Sequence, residues 1–186
     1  MGTGASATTS AWPTAGVTKN DTKAVEYYRK SCDAGYAEGC ANLGWAYDDG
    51  HGVSQDLNKA VVLHRKSCEM KSAVGCNNLG WAYQRGAGVE QSMSKALEHY
   101  QQACTMGHGL GCYNLAHNAT DHPELSKDPA AVTALFRKAC TLKHGQGCRR
   151  LAERYEQGEG VAPDADEARK YYGRACSFGV KKSCGK

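Results

Sequence analysis

Ten cysteines fall on two interleaved ladders of constant step. Cys32, Cys68, Cys104, Cys140 and Cys176 are 36 residues apart, as are Cys40, Cys76, Cys112, Cys148 and Cys184, and each pair has the form C-x7-C. A fixed period of this size marks an array of one supersecondary unit. Other positions keep the beat. Ala24, Ala60, Ala96, Val132 and Ala168 share one slot; Tyr28, His64, Tyr100, Phe136 and Tyr172 share another, four residues on. Leu43, Leu79, Leu115 and Leu151 share a third, followed by the small residues Gly44, Gly80, Ala116 and Ala152. Tyr47, Tyr83 and Tyr155 recur, with Ala119 as the exception, and Val53, Val89, Leu125 and Val161 close each unit.

The spacings set the local structure. Slots 24 and 28 lie on one face of a first helix, and slots 43 and 47 on one face of a second. Asn20, Asp56, Ser92, Asp128 and Asp164 open the first helix, and all are N-cap formers. Pro129 then suits a first helical turn. Gly35, Gly107 and Gly179 fit a left-handed position between the helices, where Lys71 and Lys143 stand in the other units. Gly50-His51-Gly52 and Gly86-Ala87-Gly88 end the second helix. Each repeat therefore reads helix A, short turn, helix B, glycine-rich loop. One helix pair cannot bury its apolar face alone, so the units must stack into an all-α, α/α solenoid. Gly44 and Gly80 let helices approach closely. His117-Asn118-Ala119-Thr120-Asp121-His122-Pro123 breaks the third repeat, where a shorter helix B or a distorted loop is expected.

The expected organisation is a flexible segment over 1–19 and a solenoid over 20–186. Its repeats span 20–55, 56–91, 92–127 and 128–163, with a partial one over 164–186, about four and a half in all. This pattern suits four repeats and a helical cap, or a piece of a longer array. No signal peptide is visible in the Gly-, Ala-, Ser- and Thr-rich start, no apolar run is long enough for membrane insertion, and a net charge of +4 neither demands nor excludes an acidic partner.

The run Lys59-Ala60 … Lys66-Ser67-Cys68 … Gly75-Cys76-Asn77-Asn78-Leu79-Gly80-Trp81-Ala82-Tyr83 … Gly86-Ala87-Gly88-Val89 resembles the Sel1-like (TPR-like) repeat. The C-x7-C element resembles its cysteine-rich branch, typified by the Helicobacter cysteine-rich proteins. The likeness covers about residues 20–186. It implies exported bacterial proteins with one disulfide joining helices A and B of each repeat, and a curved adaptor surface for proteins or peptides. Some members of that branch are described as penicillin-binding proteins or weak β-lactamases. Cysteine-rich Sel1 repeats also occur in mitochondrial intermembrane-space assembly factors.

Beside the resemblance, three readings of the cysteines compete. Zinc wants four ligands with a close C-x2–4-C pair, and a redox pair would be C-x-x-C; neither occurs. A disulfide across the turn between antiparallel helices fits, and it points to a periplasmic, secreted or otherwise oxidising location.

Few residues invite chemistry. HExxH, GxSxG, the P-loop and a strand-borne GxGxxG are missing. Ser92-Met93-Ser94-Lys95 spells S-x-x-K without its companion motifs, and Ser92 is better read as an N-cap. His108 and His144 share a slot but stand about 10 Å apart at helix-packing distance, too far for one metal, and are expected as surface histidines. His64 is expected in the core. No catalytic residue, metal or cofactor is assigned.

Three features are candidates for partner binding. Asn42, Asn78 and Asn114 form an amide ladder, broken by Arg150, suited to a peptide backbone or to bridging helices. Lys30, Lys66 and Lys138, with Arg174, form a basic stripe that either meets an acidic partner or is a solvated face. Trp45 and Trp81 lie roughly 200° around helix B from the core leucines, as interface anchors or packed between repeats. The expected function is a monomeric, non-catalytic scaffold holding a protein or peptide, and not nucleic acid, on its concave face.

Overall fold

The computed structural model describes residues 19–121 and 128–186. Of the segment over 1–19 expected to be flexible, residues 1–18 lie outside the described residues, as do Leu125 and the pair His122-Pro123, whereas Lys19 already stands in the first helix. Among the described residues nine α-helices follow in order: α1 (Lys19–Asp33), α2 (Ala37–Asp49), α3 (Leu57–Glu69), α4 (Ala73–Arg85), α5 (Met93–Thr105), α6 (Gly109–Asp121), α7 (Pro129–Thr141), α8 (Gly145–Gln157) and α9 (Ala165–Ser177), then a 3-10 turn at Lys181–Ser183. Odd-numbered helices are the A helices and even-numbered ones the B helices.

The capping chemistry is local. Asp56, Ser92, Asp128 and Asp164 each accept a backbone N–H of the first helical turn. Asn20 does not follow them: it lies inside α1, which already includes Lys19. Helices α2, α4 and α8 stop at Gly50, Gly86 and Gly158, all left-handed. At the A–B turns Gly35, Gly107 and Gly179 take positive φ, and so do Lys71 (66°) and Lys143 (62°), although side chains rarely adopt that conformation.

Each B helix packs on the A helix of its own repeat and on that of the next. B helices of neighbouring repeats also meet, at α2·α4, α4·α6 and α6·α8, and among the described residues no two A helices approach as closely. The B helices therefore line the inner side of the curve and the A helices its outer side. The four leucines of the third slot are buried between the layers. Close approach depends on the small slot: a Cβ on Gly44 would lie 2.6 Å from the His64 ring, and one on Gly80 2.8 Å from the Tyr100 ring.

The aromatic slot on α3, α5 and α9 reaches back to the preceding B helix. His64 Nε2 lies 2.7 Å from Asp48 Oδ2, the Tyr100 hydroxyl donates to Gln84 (2.6 Å), and the Tyr172 hydroxyl donates to Glu156. His64 is in the core as expected, but its carboxylate partner sixteen residues upstream was not anticipated. Burial raises the Tyr100 phenol above its ordinary range.

Four disulfides, Cys32–Cys40, Cys68–Cys76, Cys104–Cys112 and Cys140–Cys148, tie A to B in their repeats, and a fifth, Cys176–Cys184, ties α9 to the residue after the 3-10 turn. The shortened helix expected in the third repeat is not found. Helix α6 has 13 residues and holds the same register as α2, α4 and α8, because the slots that pack, Cys112, Leu115 and Ala116, are all kept and buried. Any distortion of its loop falls in residues outside the description.

Candidate binding face

One stripe of each B helix, at i, i+4, i+7 and i+11, opens on the inner side of the curve. In the first repeat it carries Glu38, Asn42, Trp45 and Asp49; in the second, Val74, Asn78, Trp81 and Arg85; in the third, Leu110, Asn114, His117 and Asp121. The structure thus brings two sequence candidates together: the amide ladder runs beside the tryptophan row. On its other flank Val74 and Leu110, each 39% exposed, add an apolar ledge that the sequence reading missed.

The amides are partly engaged. Asn114 Nδ2 donates to Asn77 Oδ1 across the α4–α6 contact (3.0 Å), and Asn77 Nδ2 donates to Asn78 Oδ1 (3.4 Å). Asn78 Nδ2 and Asn114 Oδ1 make no further hydrogen bond among the described residues. One donor and one acceptor are thereby left on adjacent repeats, oriented by the bonds behind them. Asn42 is exposed. Arg150 ends the ladder because it and Arg149 are taken by Glu153 at 3.1 and 2.9 Å.

Trp81 is 38% exposed, so it is not buried between repeats, and the Arg85 guanidinium lies 5.5 Å from its ring centroid. Trp45 is half-buried and stacks on His51 at 4.8 Å. Both rings are held by a neighbour that limits their rotation.

Lys30, Lys66 and Lys138 are exposed on the A helices, on the outer side, apart from the asparagines and tryptophans. Beside them lies a pairing that the sequence reading missed. Arg29 donates to the Tyr47 hydroxyl (3.4 Å), Arg65 to Tyr83 (3.4 Å) and Arg137 to Tyr155 (3.0 Å). The constant 18-residue offset was the signal available.

The histidines of the A–B turns are not free surface groups. His108 and His144 are half-buried, and their Nδ1 atoms accept the backbone N–H of Gly111 and Gly147, both at 3.2 Å. Desolvation holds both imidazoles below the ordinary histidine range. Ser92 caps α5 by accepting the Lys95 N–H at 3.4 Å. Among the described residues no group of three or more metal-ligating side chains gathers, and no helix is long and apolar enough to cross a membrane.

The Sel1 repeat family model matches residues 14–36, 37–72, 73–108 and 145–177, passing over α6 and α7. No curated protein matches the chain. Among solved structures, a Sel1 repeat protein from Oxalobacter formigenes is 25% identical over 87% of this chain and 64% of that one, with a TM-score of 0.77. The protein c5321, a protective antigen present in uropathogenic Escherichia coli strains displaying an SLR fold, is 27% identical over 87% of this chain and 35% of that one, with a TM-score of 0.78. Helicobacter pylori cysteine rich protein B is 25% identical over 90% of this chain and 94% of that one, with a TM-score of 0.31. The chain spans less than two thirds of the length of the first two. The matched segments cover most of the sequence and keep the 36-residue step that the helices keep, and the chain belongs to the Sel1 repeat family.

Proposed function

We propose that the chain is a non-catalytic scaffold that holds an extended segment of another protein along the inner stripe of its B helices, in an oxidising compartment. The Sel1 repeat fold commonly mediates protein–protein interaction. One observation carries the finer reading: the ladder Asn42, Asn78, Asn114 is flanked on one side by Trp45 and Trp81 and on the other by Val74 and Leu110. Stacked helices repeat at about 10 Å, and an extended chain rises about 3.3 Å per residue. One amide therefore meets every third peptide residue, and side chains on one edge of the peptide meet the tryptophans. The five disulfides support the compartment, since such bridges persist where thiols are kept oxidised.

Selection of random linear peptides on the immobilised full chain tests the reading. Binders are expected whose affinity falls about tenfold or more with Trp81→Ala and falls again with Asn78→Ala. Selected peptides indifferent to both substitutions, or a selection that yields none, would refute the inner face. For the compartment, intact mass of the protein taken from its native cells, after denaturing alkylation without reductant, should show no adducts on its ten cysteines; ten adducts would refute it.

A further inference from the structure

The outer side carries a second surface of different chemistry. Between α3 and α5 the splayed A helices leave a hollow of about 600 Å³. Its floor is apolar, formed by Leu79 and the Cys68–Cys76 bridge, with Met106 at one end. Toward its other end the surface is cationic. Arg65, which lines the hollow, donates to the Tyr83 hydroxyl, and the Lys95 ammonium lies 5.3 Å from the Tyr83 ring centroid. A second depression of about 370 Å³, bordered by Tyr83 and Lys95, continues the groove.

This cationic end is pre-formed. The Tyr83 ring stacks on His99 at 5.5 Å, and His99 Nδ1 lies 3.2 Å from Gln102 Oε1. Because the Tyr83 oxygen accepts from Arg65, its O–H remains to donate outward. Neither Arg65 nor Lys95 forms an ion pair among the described residues, although Glu69 and Glu90 border the two depressions.

We propose that this groove docks an acidic, extended peptide segment of a partner protein, with an apolar side chain in the hollow over Leu79 and a carboxylate on Arg65, the Tyr83 hydroxyl and Lys95. The three polar groups are all donors, and a carboxylate accepts from several donors at once. An amide in its place offers one acceptor oxygen and no charge, and a lysine is repelled. The groove from Met106 to Lys95 follows eleven residues of helix, about 16 Å, which is about five extended residues. That length and the apolar floor favour a short peptide over a nucleic-acid strand, which needs phosphate contacts along a longer path. The site lies on the face opposite the inner stripe, so one chain would hold two partners at once.

The test is fluorescence anisotropy with the full disulfide-bonded chain and three labelled, end-blocked peptides: Gly-Leu-Ser-Glu-Gly, its Gln isostere and its Lys counterpart. The Glu peptide is expected to bind about tenfold more tightly than the Gln peptide and to weaken with added salt. Arg65→Gln and Lys95→Gln should each erase most of that difference, Tyr83→Phe part of it, and Arg169→Gln, a charge loss on α9, none. Equal binding of the Glu and Gln peptides, or a difference that survives Arg65→Gln, would overturn the proposal. So would binding that falls with Trp81→Ala instead, which would put the peptide on the inner face. Tight binding of an oligothymidine that is lost with Arg65→Gln, while no peptide binds, would overturn it too. Failure of all three peptides refutes this groove alone, because the inner stripe is read separately by the selected peptides and Trp81→Ala.

Discussion

Removing one disulfide at a time separates what the bridges do to the unfolded chain from what they do in the fold. All five close loops of the same sequence separation, eight residues. The loop-entropy relation assigns each about 2.5 kcal/mol, whichever repeat it sits in. Differences between bridges must then come from the folded side. Cys104 and Cys112 are fully buried, whereas Cys176 is half-buried and Cys184 exposed. Replacing both members by alanine at the central site also deletes two sulfurs from close-packed surroundings, adding about 1 kcal/mol for each. Cys104→Ala/Cys112→Ala should therefore cost about 4–5 kcal/mol in urea unfolding followed by circular dichroism. Cys176→Ala/Cys184→Ala should cost about 2.5 kcal/mol or less, since these sulfurs leave little close packing behind. Under limiting reductant the Cys176–Cys184 bridge should open first, read by mass after alkylation. Equal costs at the two sites, or five bridges opening together, would refute the reasoning.

Three further outcomes are expected. Burial holds His108 and His144 below their ordinary value of 6.5, so the fold binds neutral imidazoles while the unfolded chain takes up protons first as pH falls. Their contribution is full above about pH 6.5 and is lost below it; His108→Asn/His144→Asn, which keeps the capping acceptors, should flatten the fall of melting temperature between neutral and mildly acidic pH, and an unchanged slope would count against the caps. At the first repeat interface Asp48 Oδ1 and His64 Nδ1 are buried without partners, so Asp48→Gln/His64→Tyr, copying the Gln84–Tyr100 couple, should stabilise by about 1 kcal/mol, and destabilisation by urea titration would contradict the equivalence of the interfaces. Lys71→Gly and Lys143→Gly should each leave stability unchanged or raise it by up to about 1 kcal/mol, because they relieve left-handed backbone at φ 66° and 62°, and a loss larger than that would show that the lysine side chains hold the turn.

The fold was legible because its signals are local or strictly periodic. Cysteine phase, N-cap residues and the Leu-Gly and Leu-Ala pairs each gave the helix pair, and each follows from packing that every repeat must satisfy. The third repeat misled because His117 to Asp121 departs in composition, while Ala119 within it stays in the core and Leu115 and Ala116 still set the register. The binding surfaces were half legible. The amides and tryptophans were found one slot at a time, but their union in one stripe needed the curvature, which decides that B helices converge and A helices splay. Val74 and Leu110 share their slot with Glu38 and Gln146, so no periodic signal announced the apolar ledge. The same holds for His64 and Asp48: the bond joins unlike residues, and only the sixteen-residue offset shared with Tyr100–Gln84 and Tyr172–Glu156 marks it.

The third repeat also shows how the two surfaces relate to the core. It has Gln101 where Arg29, Arg65 and Arg137 stand, and Ala119 where Tyr47, Tyr83 and Tyr155 stand, so both halves of the arginine–tyrosine couple are lost together. Losing only the tyrosine would leave a guanidinium without its phenolic acceptor; losing only the arginine would leave a phenol oxygen without its donor. The disulfide Cys104–Cys112, the buried Leu115 and the 13-residue length of α6 are untouched by the double loss. One repeat thus keeps its helix pair and its disulfide without the couple. On the inner side the same repeat keeps Asn114 and its bond to Asn77. The amide ladder therefore spans repeats one to three, and the couples occupy repeats one, two and four. The two surfaces thus lapse in different repeats, while the leucine slot stays buried in all four.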